Sequence, residues 1–299
     1  MSSPGSEALA GGHADRGRSP GLLGATPPTA LVLLGVGSTQ LGAALAKGLF
    51  DDLGAVGTVT VRVAVAALLL IALSRPSLRG RTRADLRLVA GLGIVLAGMN
   101  VCFFLAIERI PLGVVVTLEF VGPLGVAVAG SRRTLDLLWV LLAAAGVVLL
   151  GGGAASDPVG VALALAAGAG WAGYILAMAR VGRRFEAGTG LALAMGVAAV
   201  VLVPAGVVDA GAALLRPELL LVGVGVAVLS SALPYRLELE ALRRLSPRVF
   251  GILMSTEPAF AALVGLVVLG ERLGASDWLA IGLVMVASVG AVGTVERRP

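Results

Sequence analysis

The chain has 299 residues, 58% of them hydrophobic and only 14% charged, with a mean hydropathy of +0.98. A water-soluble domain of this length carries far more polar surface, so soluble enzymes and soluble binding modules are excluded. The net charge of +5 and a pI near 10.5 do not point to nucleic acid, because the basic residues fall in short segments between apolar runs.

Residues 1–28 are rich in Gly, Ser and Pro, with Arg16 and Arg18. The expectation is a disordered cytoplasmic tail with no cleaved signal peptide ahead of the first span. Ten apolar stretches follow, at roughly 29–50, 54–73, 86–107, 113–130, 135–152, 159–179, 188–208, 218–237, 247–269 and 275–294. Helical spans need about 20 apolar residues. The short alternating segments of a membrane β-barrel are absent. Forty-three glycines fit helices that pack through small residues. The predicted fold class is an all-α polytopic membrane protein with ten transmembrane helices.

The basic residues orient these spans. With the N-terminus inside, 17 of the 23 Lys and Arg fall in cytoplasmic segments and three, Arg109, Arg216 and Arg272, in outer loops. The positive-inside bias therefore predicts both termini in the cytoplasm.

Two stretches resemble each other. AIERIPLGVVVTLEFVGP (106–123) falls on ALRRLSPRVFGILMSTEP (241–258) after a shift of about 135 positions. Each has a charged turn, an apolar helix, and a carboxylate close to a proline. Offset by 131, Gly42 meets Gly173, Ala46 meets Ala177 and Thr58 meets Thr189. This predicts two five-helix repeats, 29–152 and 153–299. Five is odd, so the second would insert upside down. Inverted repeats are a transporter architecture that holds substrate between the halves.

Charges inside a bilayer cost several kcal/mol unless paired or hydrated. Four stand out: Lys47 in span 1, Arg62 in span 2, Glu119 in span 4 and Glu257 in span 9. Lys47 is the only lysine, which suggests a role that arginine does not fill. The alternative is that it snorkels beside Asp51 and Asp52. Arg62 is a ligand for substrate or a structural partner of Glu119 or Asp51. Glu119 and Glu257 are cation-binding or titrating groups, or buried structural carboxylates. Pro123 and Pro258 either free carbonyls toward a polar cavity or kink packed helices. Arg236, Glu238 and Glu240 read as snorkelling at the cytoplasmic end of span 8. Gln40, Asn100, Trp171, Tyr174, Ser231 and Tyr235 are neutral candidates for the same cavity, beside the plainer reading of hydrogen bonds between helices.

Gly168-Ala-Gly170-Trp-Ala-Gly173 matches GxGxxG but has no preceding strand, so it reads as helix packing and not a dinucleotide site. There is no Walker A or HExxH motif, and the only histidine, His13, lies in the tail. No metal, cofactor or catalytic residue is expected. The single cysteine, Cys102, permits no internal disulfide.

Five stretches carry a resemblance: GSTQLGAALAKGLF (37–50), AIERIPLGVVVTLEFVGPL (106–124), GAGWAGYILA (168–177), LSSALPYRLELEALRRL (229–245) and FGILMSTEPAFAALVGLVVLGE (250–271). They resemble the drug/metabolite transporter superfamily in its EamA-type branch, and within it the threonine/homoserine exporters of bacterial inner membranes. Arg236 departs from the pattern, which has a small polar residue after LPY. The resemblance implies multi-pass insertion in the bacterial cytoplasmic membrane and export of small neutral amino acids driven by the proton gradient. The expected partners are that substrate, protons and the bilayer, with a homodimer as a candidate assembly. The charges suggest a Lys47/Arg62 pole and a Glu119/Glu257 pole for the two ends of an amino acid zwitterion. The rivals are export of another metabolite or a drug, an intramembrane enzyme, and a non-transporting scaffold.

Overall fold

The structure is a computed structural model that describes residues 26–77, 79–129, 134–151, 156–185 and 188–295. The expected tail lies outside the described residues except for its last three positions. Thirteen α-helical segments are described: α1 Pro28–Lys47, α2 Phe50–Ser74, α3 Arg83–Arg109, α4 Leu112–Glu119, α5 Val121–Ala129, α6 Thr134–Gly151, α7 Pro158–Val181, α8 Thr189–Ala210, α9 Pro217–Ala227, α10 Leu233–Leu242, α11 Pro247–Met254, α12 Glu257–Val268 and α13 Ala275–Val295. No strand occurs among the described residues. Among the described residues, nine spans are long and apolar enough to cross a membrane. The tenth expected span, α6, has a shorter apolar run, Leu137–Leu150. The chain is an all-helical polytopic membrane protein.

Side-chain caps set three of the helix starts. Thr82 and Asp85 form a capping box on α3. Asp157 accepts the N–H groups of Val159 and Gly160 ahead of α7, with Pro158 in the first turn. Ser246 does the same for α11 through the N–H of Val249.

The structure refines the ends of spans 1 and 8. α1 ends at Lys47, and α2 opens with a short turn from Phe50 that joins, at Gly54, the long helix the sequence predicted to begin there. The join is a kink at Gly54 (φ 65°). Asp209 of α8 accepts the N–H groups of Val56 and Gly57 at 3.1 and 3.0 Å, so the helix is capped anew inside its own length. Span 8 runs on to Leu242 and contains a π-helical turn, Val228–Ala232. Glu238, expected to snorkel, is instead partly buried against α1 at Gly35.

Spans 4 and 9 are broken. The first breaks at Phe120 between α4 and α5, the second at Ser255–Thr256 between α11 and α12. Pro123 and Pro258 each sit in the first turn of the second half-helix, where a missing N–H has no helical acceptor to lose. Glu119 closes α4 and Glu257 opens α12.

The helices pack as α2 on α8, α3 on α7, α1 on α10, α4 on α12 and α6 on α13. α4 and α12 run antiparallel: Leu112 and Glu271 meet at one end, and Glu119 and Glu257 face one cavity at the other. Gly113 permits their approach, since a Cβ there would lie 2.7 Å from Ala262. The GxGxxG stretch lies inside α7, where a Cβ on Gly168 would lie 2.7 Å from the carbonyl oxygen of Glu119. It is a packing surface that lets the broken span sit close.

Candidate substrate site

Six helical segments converge near mid-bundle on a cavity of about 170 Å³. α1 supplies Thr39 and Gln40, α2 Arg62, α3 Met99, Asn100 and Phe103, α4 Val116 and Glu119, α7 Trp171, and α12 Glu257. Six of the ten candidate residues read from the sequence therefore share one cavity: Gln40, Arg62, Asn100, Glu119, Trp171 and Glu257.

The cationic side is held rigidly. Arg62 donates from Nη1 to Ser230 Oγ at 3.3 Å and from Nη2 to Asn100 Oδ1. Its guanidinium lies 5.0 Å from the centre of the Phe104 ring. Asn100 is itself fixed by donating to Leu96 O at 2.8 Å, and Ser230 by donating to Val226 O at 2.7 Å. The π-helical turn thus presents Ser230 to the arginine.

The anionic side has two carboxylates from the two broken spans. Glu257 is 8% exposed and Glu119 9%. Gln40 Nε2 donates to Glu257 Oε1 at 2.9 Å. Among the described residues, no ion pair joins Arg62 to either carboxylate. Gln40 Oε1, Glu257 Oε2 and Arg62 Nε are buried with no protein partner. Buried polar atoms of this kind carry a penalty of about 1–3 kcal/mol each unless something else bonds them. The cavity is therefore polar, bipolar in charge, and has hydrogen-bonding capacity left over.

Tyr174, Ser231 and Tyr235 lie apart from this cavity. They line a larger one of about 600 Å³ that shares Arg62, Met99 and Asn100 with it and reaches Ser74, Gly188 and Leu239 at one end of the bundle. Arg236 lines the same vestibule. Lys47 is in neither. It makes an ion pair with Glu271 at 2.8 Å, and Asp51 and Asp52 do not engage it. The expected Lys47/Arg62 pole is thus divided, because Lys47 is at the last turn of α1 and faces the loop before α13. Glu271 also accepts the N–H of Leu112 at 2.8 Å and joins three elements at the end opposite the vestibule.

Glu271 was missed as a participant. It adjoins Arg272 between Gly270 and Gly274, which reads as a solvated loop. The solitary lysine was the signal that a partner acid was needed, but several acids lie near that level.

The model of the EamA-like transporter family matches residues 158–293. The protein named threonine/homoserine exporter RhtA of Salmonella typhimurium (strain SL1344) is 45% identical over 277 residues, covering 91% of this chain and 93% of that protein. Its namesake in Escherichia coli (strain K12) is 44% identical over 276 residues, with the same coverage. A crystal structure of another protein superposes with a TM-score of 0.59 at 20% identity, covering 89% of this chain and 96% of that one, a likeness of fold. The chain belongs to the EamA-like transporter family.

Proposed function

We propose that the protein is a secondary active exporter of small neutral amino acids of the threonine and homoserine type, working by proton antiport and alternating access. The observation that carries this is the cavity at mid-bundle: one guanidinium and two carboxylates, not paired with each other, around about 170 Å³. That volume is below the ~300–1,000 Å³ of drug-sized pockets, and its charges match the two ends of a zwitterion. The relatives' name supports the same substrate class.

In this reading the substrate carboxylate meets Arg62, whose fork suits it. The ammonium meets Glu119 and Glu257. Glu257 takes a proton when the amino acid leaves toward the outside and returns it to the cytoplasm when the next one binds, so one site serves substrate and proton in turn. Neither step requires an enzyme reaction.

The two five-helix units, 29–152 and 153–299, are proposed as an inverted repeat. Support comes from packing: exchanging each span with the one five further on maps 1-on-8 to 6-on-3 and leaves 2-on-7, 4-on-9 and 5-on-10 unchanged. Tyr174, Ser231 and Tyr235 would line the cytoplasmic approach. Lys47 and Glu271 would latch the outer end. Both termini, with the 1–28 tail, would face the cytoplasm and the spans would cross a bacterial inner membrane, an orientation the arginine distribution supports. The test is movement of labelled threonine and homoserine in proteoliposomes with and without a pH gradient. Gradient-dependent flux supports the reading, and no flux of either overturns it.

A further inference from the structure

A third cavity, of about 250 Å³, shares Trp171 with the first. It sits between α5, α11 and α13 and is lined by Phe120, Leu124, Phe250 and Met254, with the hydroxyls of Ser255 and Ser288. Ser255 Oγ donates to Gly251 O at 3.0 Å, while Ser288 Oγ is buried without a partner. Trp171 lines both cavities. Its ring meets Phe120 edge-on, 5.1 Å between centroids at 89°, an arrangement that holds an aromatic wall in place.

We propose that Trp171 is the specificity-determining residue of this site: it limits the length of the substrate side chain by walling the polar cavity off from the apolar one. This rests on the amino acid reading above. With the zwitterion ends fixed between Arg62 and the two carboxylates, a side chain that grows toward α7 runs into the indole. A short side chain ends before it. A side chain longer by two or three carbons needs the space behind it, which is apolar and bounded by Phe, Leu and Met. Apolar cavities of about 150 Å³ stay dry and accept apolar groups when opened. Removing the indole therefore joins two rooms, one that reads the amino acid backbone and one that takes an apolar side chain.

The experiment compares labelled threonine, leucine and methionine in proteoliposomes of the full chain carrying wild type, Trp171→Ala or Trp171→Leu. Wild type favours threonine. Each variant raises the leucine-to-threonine and methionine-to-threonine ratios of kcat/KM by about tenfold or more, the scale at which pockets discriminate methylenes. Adding Ser288→Phe to Trp171→Leu refills the rear cavity and reverses the gain. A wild type that moves threonine, with folded Trp171 variants whose ratios stay unchanged, overturns the wall and leaves the amino acid reading standing. A wild type that moves none of the three overturns both. Trp171→Leu keeps most of the apolar bulk, so a folding failure of Trp171→Ala does not decide the matter, and monodispersity in detergent is checked for each.

Discussion

Lys47 and Glu271 are 224 positions apart and meet at 2.8 Å. Glu271 also receives the N–H of Leu112, so the start of α4, the end of α1 and the loop after α12 are tied at one point. If this tie closes the outer end, it must break in each cycle. Lys47→Met then raises thiol labelling from the outside at a cysteine placed at Leu112. Lys47→Glu and Glu271→Lys each impair flux, and the double exchange restores part of it, with a coupling of about 0.5–3 kcal/mol. Unchanged labelling in Lys47→Met returns the pair to a static brace.

Arg62 is held by Asn100, Ser230 and the Phe104 ring. Arg62→Lys keeps the charge but loses the planar fork and its fixed aim. The apparent KM for threonine rises about tenfold, equivalent to about 1.4 kcal/mol, with a smaller change for substrates lacking a carboxylate. Transport assays across a threonine concentration series measure this. An unaltered KM removes Arg62 from substrate contact.

Gly168→Ala places a methyl group 2.7 Å from the carbonyl oxygen of Glu119. Backbone must shift, and overpacking of this kind costs about 1–3 kcal/mol. The melting temperature in detergent falls, and flux falls with it because Glu119 is displaced. A neutral Gly168→Ala contradicts the close approach of α7 to the break in span 4.

Asp157 accepts the N–H groups of Gly160 and Val159 and pairs with Arg109 at 3.2 Å. The backbone hydrogen bond from Gly160 is the largest influence holding its carboxyl below the ordinary carboxylate range. A depressed folded-state pKa means the cap stabilises above the unfolded value and fades as pH falls through the folded one. Asp157→Ala therefore melts below wild type at pH 7, and the gap narrows in acid. A gap independent of pH contradicts the ionised cap.

Much of the architecture could be read from the chain because membrane spans obey a local rule: length and hydropathy suffice. The breaks in spans 4 and 9 were signalled by Pro123 and Pro258, and the GxGxxG stretch by its apolar context. The candidate cavity was legible as a set of charged and polar intramembrane groups, and six of those ten share one space. Which groups meet was not legible. The Gln40–Glu257 bond spans 217 positions, and the partner of Lys47 was one of several acids near the same depth. The π-helical turn that aims Ser230 at Arg62 packs against α1, and Pro234, which has no N–H for the Ser230 carbonyl, was its one local signal. Asp209 capping α2 at Val56 and Gly57 is likewise a tertiary contact.

The most direct test of the account is Glu257→Gln in proteoliposomes, with labelled threonine followed both under an imposed pH gradient and as exchange without one. Glutamine keeps the size and the contact with Gln40 but holds no exchangeable charge. The account predicts loss of gradient-driven accumulation with exchange retained. Gradient-driven accumulation at the wild-type rate would contradict proton coupling through Glu257.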